Sequence, residues 1–245
     1  MKLTDKVYIV ASGDAGCSLS HYRDCTVFLI DGGSELALID AGIGEESETI
    51  VQNIRDAGFD PEKVTKILLT HGHADHSGGA LALKNALHAD VYALKETAEF
   101  LTNGDTHGIA LDVAKEAGAY EAGYIFSACP TTPLEDGAEI QVGDLRLTCI
   151  STPGHCVGHA AYYGEFDGQK VLFSGDLVFP FGKVILQNIW DCGITDYAES
   201  MKKIKDLKID ALFCAHSSIL LNRGYKAVEE ACAAFDKLGV PANLC

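Results

Sequence analysis

Lys66-Ile67-Leu68-Leu69-Thr70-His71-Gly72-His73-Ala74-Asp75-His76-Ser77-Gly78-Gly79 places three imidazoles and a carboxylate within six residues, directly behind an apolar run. The run reads as a buried strand and the polar residues as the loop that leaves it. In an extended loop, residues two apart point the same way, so His71 and His73 can share one ion. Asp75 and His76 follow where the chain turns into a helix, and they face a second point nearby. Gly72 lets the backbone come close, and Gly78-Gly79 lets the next turn pack without side chains in the way. A solvated polar loop would have the same composition. Further candidate ligands downstream weigh against it.

Working outward, 245 residues give one large domain, 1–245, with enough apolar sequence for a full core. The start, Met1-Lys2-Leu3-Thr4-Asp5-Lys6, is broken by charge too early for a signal peptide. No apolar run approaches the roughly 20 residues of a membrane helix. A soluble, cytoplasmic protein is expected. A net charge of −16 argues against nucleic-acid and anionic-membrane partners, which are bound through Lys and Arg. The expected partner is a small-molecule substrate, with a homodimer left open. The nine Cys are scattered, with no Cys-x-x-Cys pair, so they read as small buried hydrophobes rather than a zinc knot or disulfide framework.

Val7 to Val10 reads as a strand. Thr26 to Ile30 and Leu36 to Asp40 form a hairpin across Asp31-Gly32-Gly33-Ser34. Glu45 to Ala57 is an amphipathic helix carrying Ile50, Val51 and Ile54, and Lys66 to Leu69 is the strand that delivers the opening motif. Helices over Ala80 to Leu87, Lys95 to Leu101 and Ile109 to Ala117 follow, with a strand over Asp90 to Ala93. The Gly-rich joint around His107 is placed as a mobile edge over a pocket. Hairpins are expected over Glu139–Val142 with Leu145–Ile150, and over His159–Glu165 with Lys170–Ser174. A Thr-capped helix over Thr195 to Leu207, a strand over Ala211 to Phe213 and a last helix over Tyr225 to Leu238 complete the chain. The hairpins ending at Asp40 and Asp176 resemble each other, which points to two similar β-plus-α halves.

His155, Asp176 and His216 each sit at the end of an apolar strand, where a sheet holds ligands in fixed positions. With the opening motif they make five His and two carboxylates. One tetrahedral zinc cannot use that many donors, whereas two ions bridged by a carboxylate and a hydroxide can. Bound metal acidifies water, so such a pair would make a hydroxide available at neutral pH.

Here the chain resembles the metallo-β-lactamase-fold hydrolases along nearly its whole length. The motifs are Leu38-Ile39-Asp40-Ala41-Gly42, Thr70-His71-Gly72-His73-Ala74-Asp75-His76, Thr152-Pro153-Gly154-His155, Phe173-Ser174-Gly175-Asp176 and Ala215-His216. The resemblance implies an α/β fold, the four-layer αββα sandwich. It implies two divalent metal ions, zinc first, with manganese or iron as alternatives. His71, His73 and His155 would bind one; Asp75, His76 and His216 the other; Asp176 would bridge. Asp75 would also carry the proton to the leaving group, and Asp40 would support the metal loop from behind.

Among the branches of this family, class B β-lactamases place Cys or Ser at the position of Asp176. Nuclease branches need basic surfaces. Glyoxalase II enzymes add a C-terminal helical domain, and only 29 residues follow His216 here. Lactonases of similar length carry a Tyr where this chain has Phe179. The family follows its last ligand with Gly, and this chain has Ser217, which bears on the second metal site. The expectation is a glyoxalase II-like or lactonase-like hydrolase acting on a small ester, thioester, lactone or cyclic carbonyl compound. The alternative is a mononuclear-iron sulfur dioxygenase using His71, His155 and Asp176. His21, Tyr22, His107, Phe179, Phe181 and Trp190 are the expected substrate contacts, and His88 and His159 are read as structural or surface residues.

Overall fold

A computed structural model describes residues 1–244. Cys245 lies outside the described residues. The chain divides into two compact units, Met1–Leu134 with Val142–Asp144, and Glu135–Gln141 with Leu145–Cys245.

The first unit runs β1 (Val7–Ala11), β2 (Val27–Asp31), β3 (Leu36–Ile39), α1 (Ser47–Asp56), β4 (Val64–Leu68), α2 (Ala74–Ser77), α3 (Ala80–Leu87), β5 (Asp90–Leu94), α4 (Lys95–Asn103), α5 (Leu111–Glu116) and β6 (Thr132–Leu134). Its sheet has the order β1-β2-β3-β4-β5-β6. The β2–β3 hairpin pairs Phe28 with Ile39 and Asp31 with Leu36, as its Asp-Gly-Gly turn predicts. From β3 onward the strands are parallel. Parallel strands are covered on both faces, which accounts for the unbroken burial of β3 and of Ile67 and Leu68. The helix α1 turns Ile50, Val51 and Ile54 inward at helical spacing, each burial stabilising by about 1.5–3 kcal/mol.

The second unit comprises β7 (Glu139–Val142), β8 (Leu145–Ser151), β9 (Ala160–Phe166), β10 (Gln169–Gly175), α6 (Ile194–Lys205), β11 (Ala211–Cys214) and α7 (Tyr225–Asp236), with sheet order β11-β10-β9-β8-β7. Helices α6 and α7 supply Tyr197, Met201, Ile204, Val228, Ala231 and Phe235 to one apolar cluster. The β9–β10 hairpin registers Gln169 against Phe166, and β10 pairs β11 in parallel.

Several expectations need adjusting. Thr195 does not cap α6: the cap position is Gly193, and Thr195 lies inside the helix. The short strand β6, which ends the first sheet, has no apolar alternation and was not expected. The joint before α5 is held by Asp105, whose Oδ1 accepts from the N–H groups of His107 and Gly108 at 3.1 and 3.0 Å. All eight described cysteines are free, six of them buried. Among the described residues no helix is long and apolar enough to cross a membrane.

Candidate metal centre

Each ligand candidate lies in the segment that follows the C-terminal end of a strand, Asp75 and His76 on α2. In the first unit the parallel neighbours β3 and β4 deliver Asp40 and the His71 loop to the same end of the sheet. In the second unit, β8 is antiparallel to β9 and β9 to β10, so β8, β10 and β11 all run the same way. His155, Asp176 and His216 therefore emerge at a common edge. Strand direction alone gathers three residues separated by up to 61 positions (216 − 155).

Within the first unit, the rings of His71 and His76 lie 4.0 Å apart, and those of His71 and His73 4.6 Å apart. His71 and His76 are fully buried. Asp40 orients them. It takes a left-handed φ of +66°, tolerated by Asp, and turns its carboxylate under the loop. Its Oδ1 accepts from the Thr70 N–H at 2.7 Å, and the Thr70 hydroxyl lies 2.9 Å from Oδ2. His76 Nδ1 is 2.9 Å from Oδ2, and His71 Nδ1 is 3.0 Å from Thr70 Oγ1. A hydroxyl that donates to a carboxylate can accept from an imidazole. Both rings then carry their proton on Nδ1 and turn a lone pair outward on Nε2. The Oδ2 of Asp75 is 3.6 Å from that His76 Nε2, while its Oδ1 accepts from the Tyr120 hydroxyl at 2.7 Å. Burial, with the charge of Asp75, pushes the Tyr120 phenol well above its ordinary range, so it stays a donor. The Cβ of an alanine at position 79 would lie 2.1 Å from the Ala41 carbonyl, which explains why the motif ends in glycine.

The second unit's cluster is built on the same logic. His155 Nδ1 donates to the Ile185 carbonyl at 3.0 Å, leaving Nε2 as the lone-pair nitrogen. Asp176 Oδ2 lies 3.6 Å from His155 Nε2 and 3.4 Å from His216 Nε2. Two donors held at about 2.1 Å on a tetrahedral ion are about 3.4 Å apart, so these spacings fit shared ions. Tyr197, fully buried on α6, donates to the Asp176 carbonyl at 2.7 Å and accepts from the Ile185 N–H at 3.3 Å. One hydroxyl thus ties the backbone of one ligand candidate to the residue that orients another.

Four supporting residues had no assigned partner in the sequence reading. Tyr120 and Tyr197 are two. The third is His159, expected as a structural or surface residue and found structural: it is buried, its Nε2 accepts from the Asp176 N–H at 3.2 Å and its Nδ1 meets Thr152 Oγ1 at 2.9 Å. Both ring nitrogens face protein groups, so it braces a ligand candidate. The fourth is Cys25, whose thiol lies within 4.8 Å of donor atoms of Asp40 and His76; burial pushes it up to about 12. None has a local signal beyond residue type.

The expected substrate contacts scatter. His21 and Tyr22 line a cavity of about 340 Å³ in the first unit, with Arg23, Glu45, Tyr120 and Tyr124. His107 does not line it; its side chain is exposed and paired with Asp112 at 2.9 Å. Phe179 is fully buried with Ile185 and Cys214, its ring stacked 6.5 Å from His216, so it backs a ligand and offers no open face. Phe181 projects into solvent, 83 % exposed, and Trp190 is half-exposed. Ser217 has a φ of +67°, the conformation that glycine adopts freely.

Residues 22–216 match the profile of the metallo-beta-lactamase superfamily, and the chain belongs to that superfamily. A hydroxyacylglutathione hydrolase of Pseudomonas savastanoi pv. phaseolicola (strain 1448A / Race 6) is 33% identical over 168 residues, 68% of this chain and 53% of that protein. An uncharacterized protein of Aquifex aeolicus (strain VF5) is 30% identical over 197 residues, 79% of this chain and 83% of its own length. The hydroxyacylglutathione hydrolase of Hahella chejuensis (strain KCTC 2396) is 29% identical over 159 residues, 64% of this chain and 49% of that protein. The chain thus spans about half the length of these two hydrolases. A metallo-beta-lactamase family protein from Thermus thermophilus superposes with a TM-score of 0.74 at 23% identity, covering 96% of this chain and 81% of that one. For a subclass B3 metallo-beta-lactamase of Bradyrhizobium japonicum the values are 0.72, 23%, 97% and 91%. At that identity the likeness is one of fold, and the fold is that of the metallo-β-lactamases.

Proposed function

We propose that this chain is a metal-dependent hydrolase of small carbonyl compounds that binds two divalent ions. His71, His73 and His155 hold one, Asp75, His76 and His216 the other, and Asp176 both, with zinc the favoured metal. The observation that carries the reading is Asp176, whose single Oδ2 stands at ligand spacing from two separate imidazoles. Superfamily membership supports it.

Bound there, the ions would supply Lewis acidity and acidify water at neutral pH. The chain's own residues have the remaining tasks. Asp40 and the Ile185 carbonyl fix the ring tautomers of His76 and His155. The buried rings of His71, His76 and His155 keep bulk water from their nitrogens. Asp75, with 18% of its side chain exposed, is the carboxylate of its cluster open enough to pass a proton to a leaving group. The relatives named hydroxyacylglutathione hydrolase put a thioester first among candidate substrates, ahead of lactones and other esters.

Protein purified without added metal should contain close to two zinc or manganese ions per chain. The replete form should hydrolyse at least one member of a thioester and lactone panel. Asp176→Ala should fold and lose activity on the order of 100-fold or more. A single iron with oxygen consumption would point instead to the dioxygenase, and near-normal turnover by Asp176→Ala would sink the two-ion reading.

A further inference from the structure

Asp75 divides its carboxylate between two surroundings. Oδ2 is 3.6 Å from His76 Nε2, whereas Oδ1 accepts from Tyr120 at 2.7 Å. Tyr120 comes from the segment after α5, 45 positions along the chain, and that segment is pinned. The Arg23 guanidinium donates to the Ala119 carbonyl and lies 5.7 Å from the centre of the Tyr120 ring. On the other side Tyr124 stacks at 5.9 Å with its ring inclined by 28°, and its own hydroxyl is held by the Ile43 carbonyl at 2.8 Å. The phenol is thus set in place by groups that are not themselves ligand candidates.

We infer that Tyr120 is a positioning residue: by holding Oδ1 of Asp75 it presents Oδ2, and only Oδ2, to the ion shared with His76. The inference rests on the two-ion hydrolase reading. A carboxylate with both oxygens loose can rotate, bind an ion through either oxygen or both, or swing toward solvent. One strong hydrogen bond to one oxygen selects a single mode, as outer partners of metal ligands do generally. Tyr120 also lines the 340 Å³ cavity beside His21 and Tyr22, so it borders both the cavity and the ligand candidate. The two roles separate experimentally. Disturbing a ring that touches substrate would raise KM, while a misplaced ligand lowers kcat and weakens one metal site.

The test is Tyr120→Phe, which keeps the ring and removes the hydroxyl. Cobalt(II) is titrated into apo wild type and variant, followed by its visible absorption, with zinc affinity measured by chelator competition. Wild type should take up two ions. Tyr120→Phe should bind the first with unchanged affinity and the second about 10- to 100-fold more weakly, with an altered cobalt spectrum and a lower kcat at constant KM. Tyr163→Phe, which loses a hydroxyl bonded to Glu165 and to no ligand candidate, should bind both ions as wild type does. If Tyr120→Phe binds the second ion with wild-type affinity and spectrum, or if Tyr163→Phe weakens it equally, the positioning role is overturned and the two-ion reading stands. If wild type itself takes up fewer than two ions, the underlying reading fails.

Discussion

Asp40 shows how much one side chain can organise. Its two oxygens face the Thr70 N–H, the Thr70 hydroxyl and His76 Nδ1, and through Thr70 they reach His71 as well. Asparagine in its place would keep an acceptor for Thr70 but turn an N–H₂ toward an imidazole nitrogen that already carries a proton. Asp40→Asn should therefore weaken metal binding and lower turnover by about 10- to 100-fold, read by chelator competition and steady-state kinetics on folded protein. Metal affinity equal to wild type would show that the ring orientation does not depend on this carboxylate. The motif Leu38-Ile39-Asp40 was visible in the sequence, but its partner was not. His76 is 36 positions away, and only the parallel pairing of β3 with β4 brings the two together.

At the scale of elements, ligand candidates ride on strand ends and are then locked by short loops. The loop after β11 is held by the Cys214 thiol, whose Sγ lies 3.2 Å from the carbonyls of both His216 and Ser218. Between them Ser217 is left-handed at +67°, a conformation costing a residue with a Cβ roughly 1 kcal/mol over glycine. Ser217→Gly should raise stability by a few tenths to about 1 kcal/mol, the gain tempered by the larger unfolded-state entropy of glycine. Thermal denaturation measures it, and a fall in Tm would contradict the strain argument. The serine thus takes a left-handed conformation that glycine adopts freely. His216 keeps its place beside Asp176 at 3.4 Å.

For the whole molecule, ligand candidates from several strand ends make ion binding and folding one equilibrium. Removing metal with a chelator should lower Tm, and zinc at about 100 times its Kd should restore roughly 2.7 kcal/mol, worth several degrees for a chain of this size. Differential scanning fluorimetry in chelator and in zinc reads this, and an unchanged Tm counts against ion binding by the native state. The seven ligand candidates were legible in the sequence because each follows a local pattern, an apolar strand that stops at a polar residue, and because glycines mark the close approaches. The supporting residues were not. Tyr120, Tyr197, His159 and Cys25 belong to types that fill cores by default, and their partners lie 45, 21, 17 and 51 positions away (75 to 120, 176 to 197, 159 to 176, 25 to 76). Phe179, Phe181, Trp190 and His107 end up in unlike surroundings, buried or exposed, because a side chain's type does not say which way its loop turns it. Sequence alone determined the candidate donors and the strands that lead to them, since both are local properties of the chain. Tertiary structure decided which oxygen of Asp75 and which ring nitrogens of His76 and His155 are left open, since that depends on hydrogen bonds closed between distant segments.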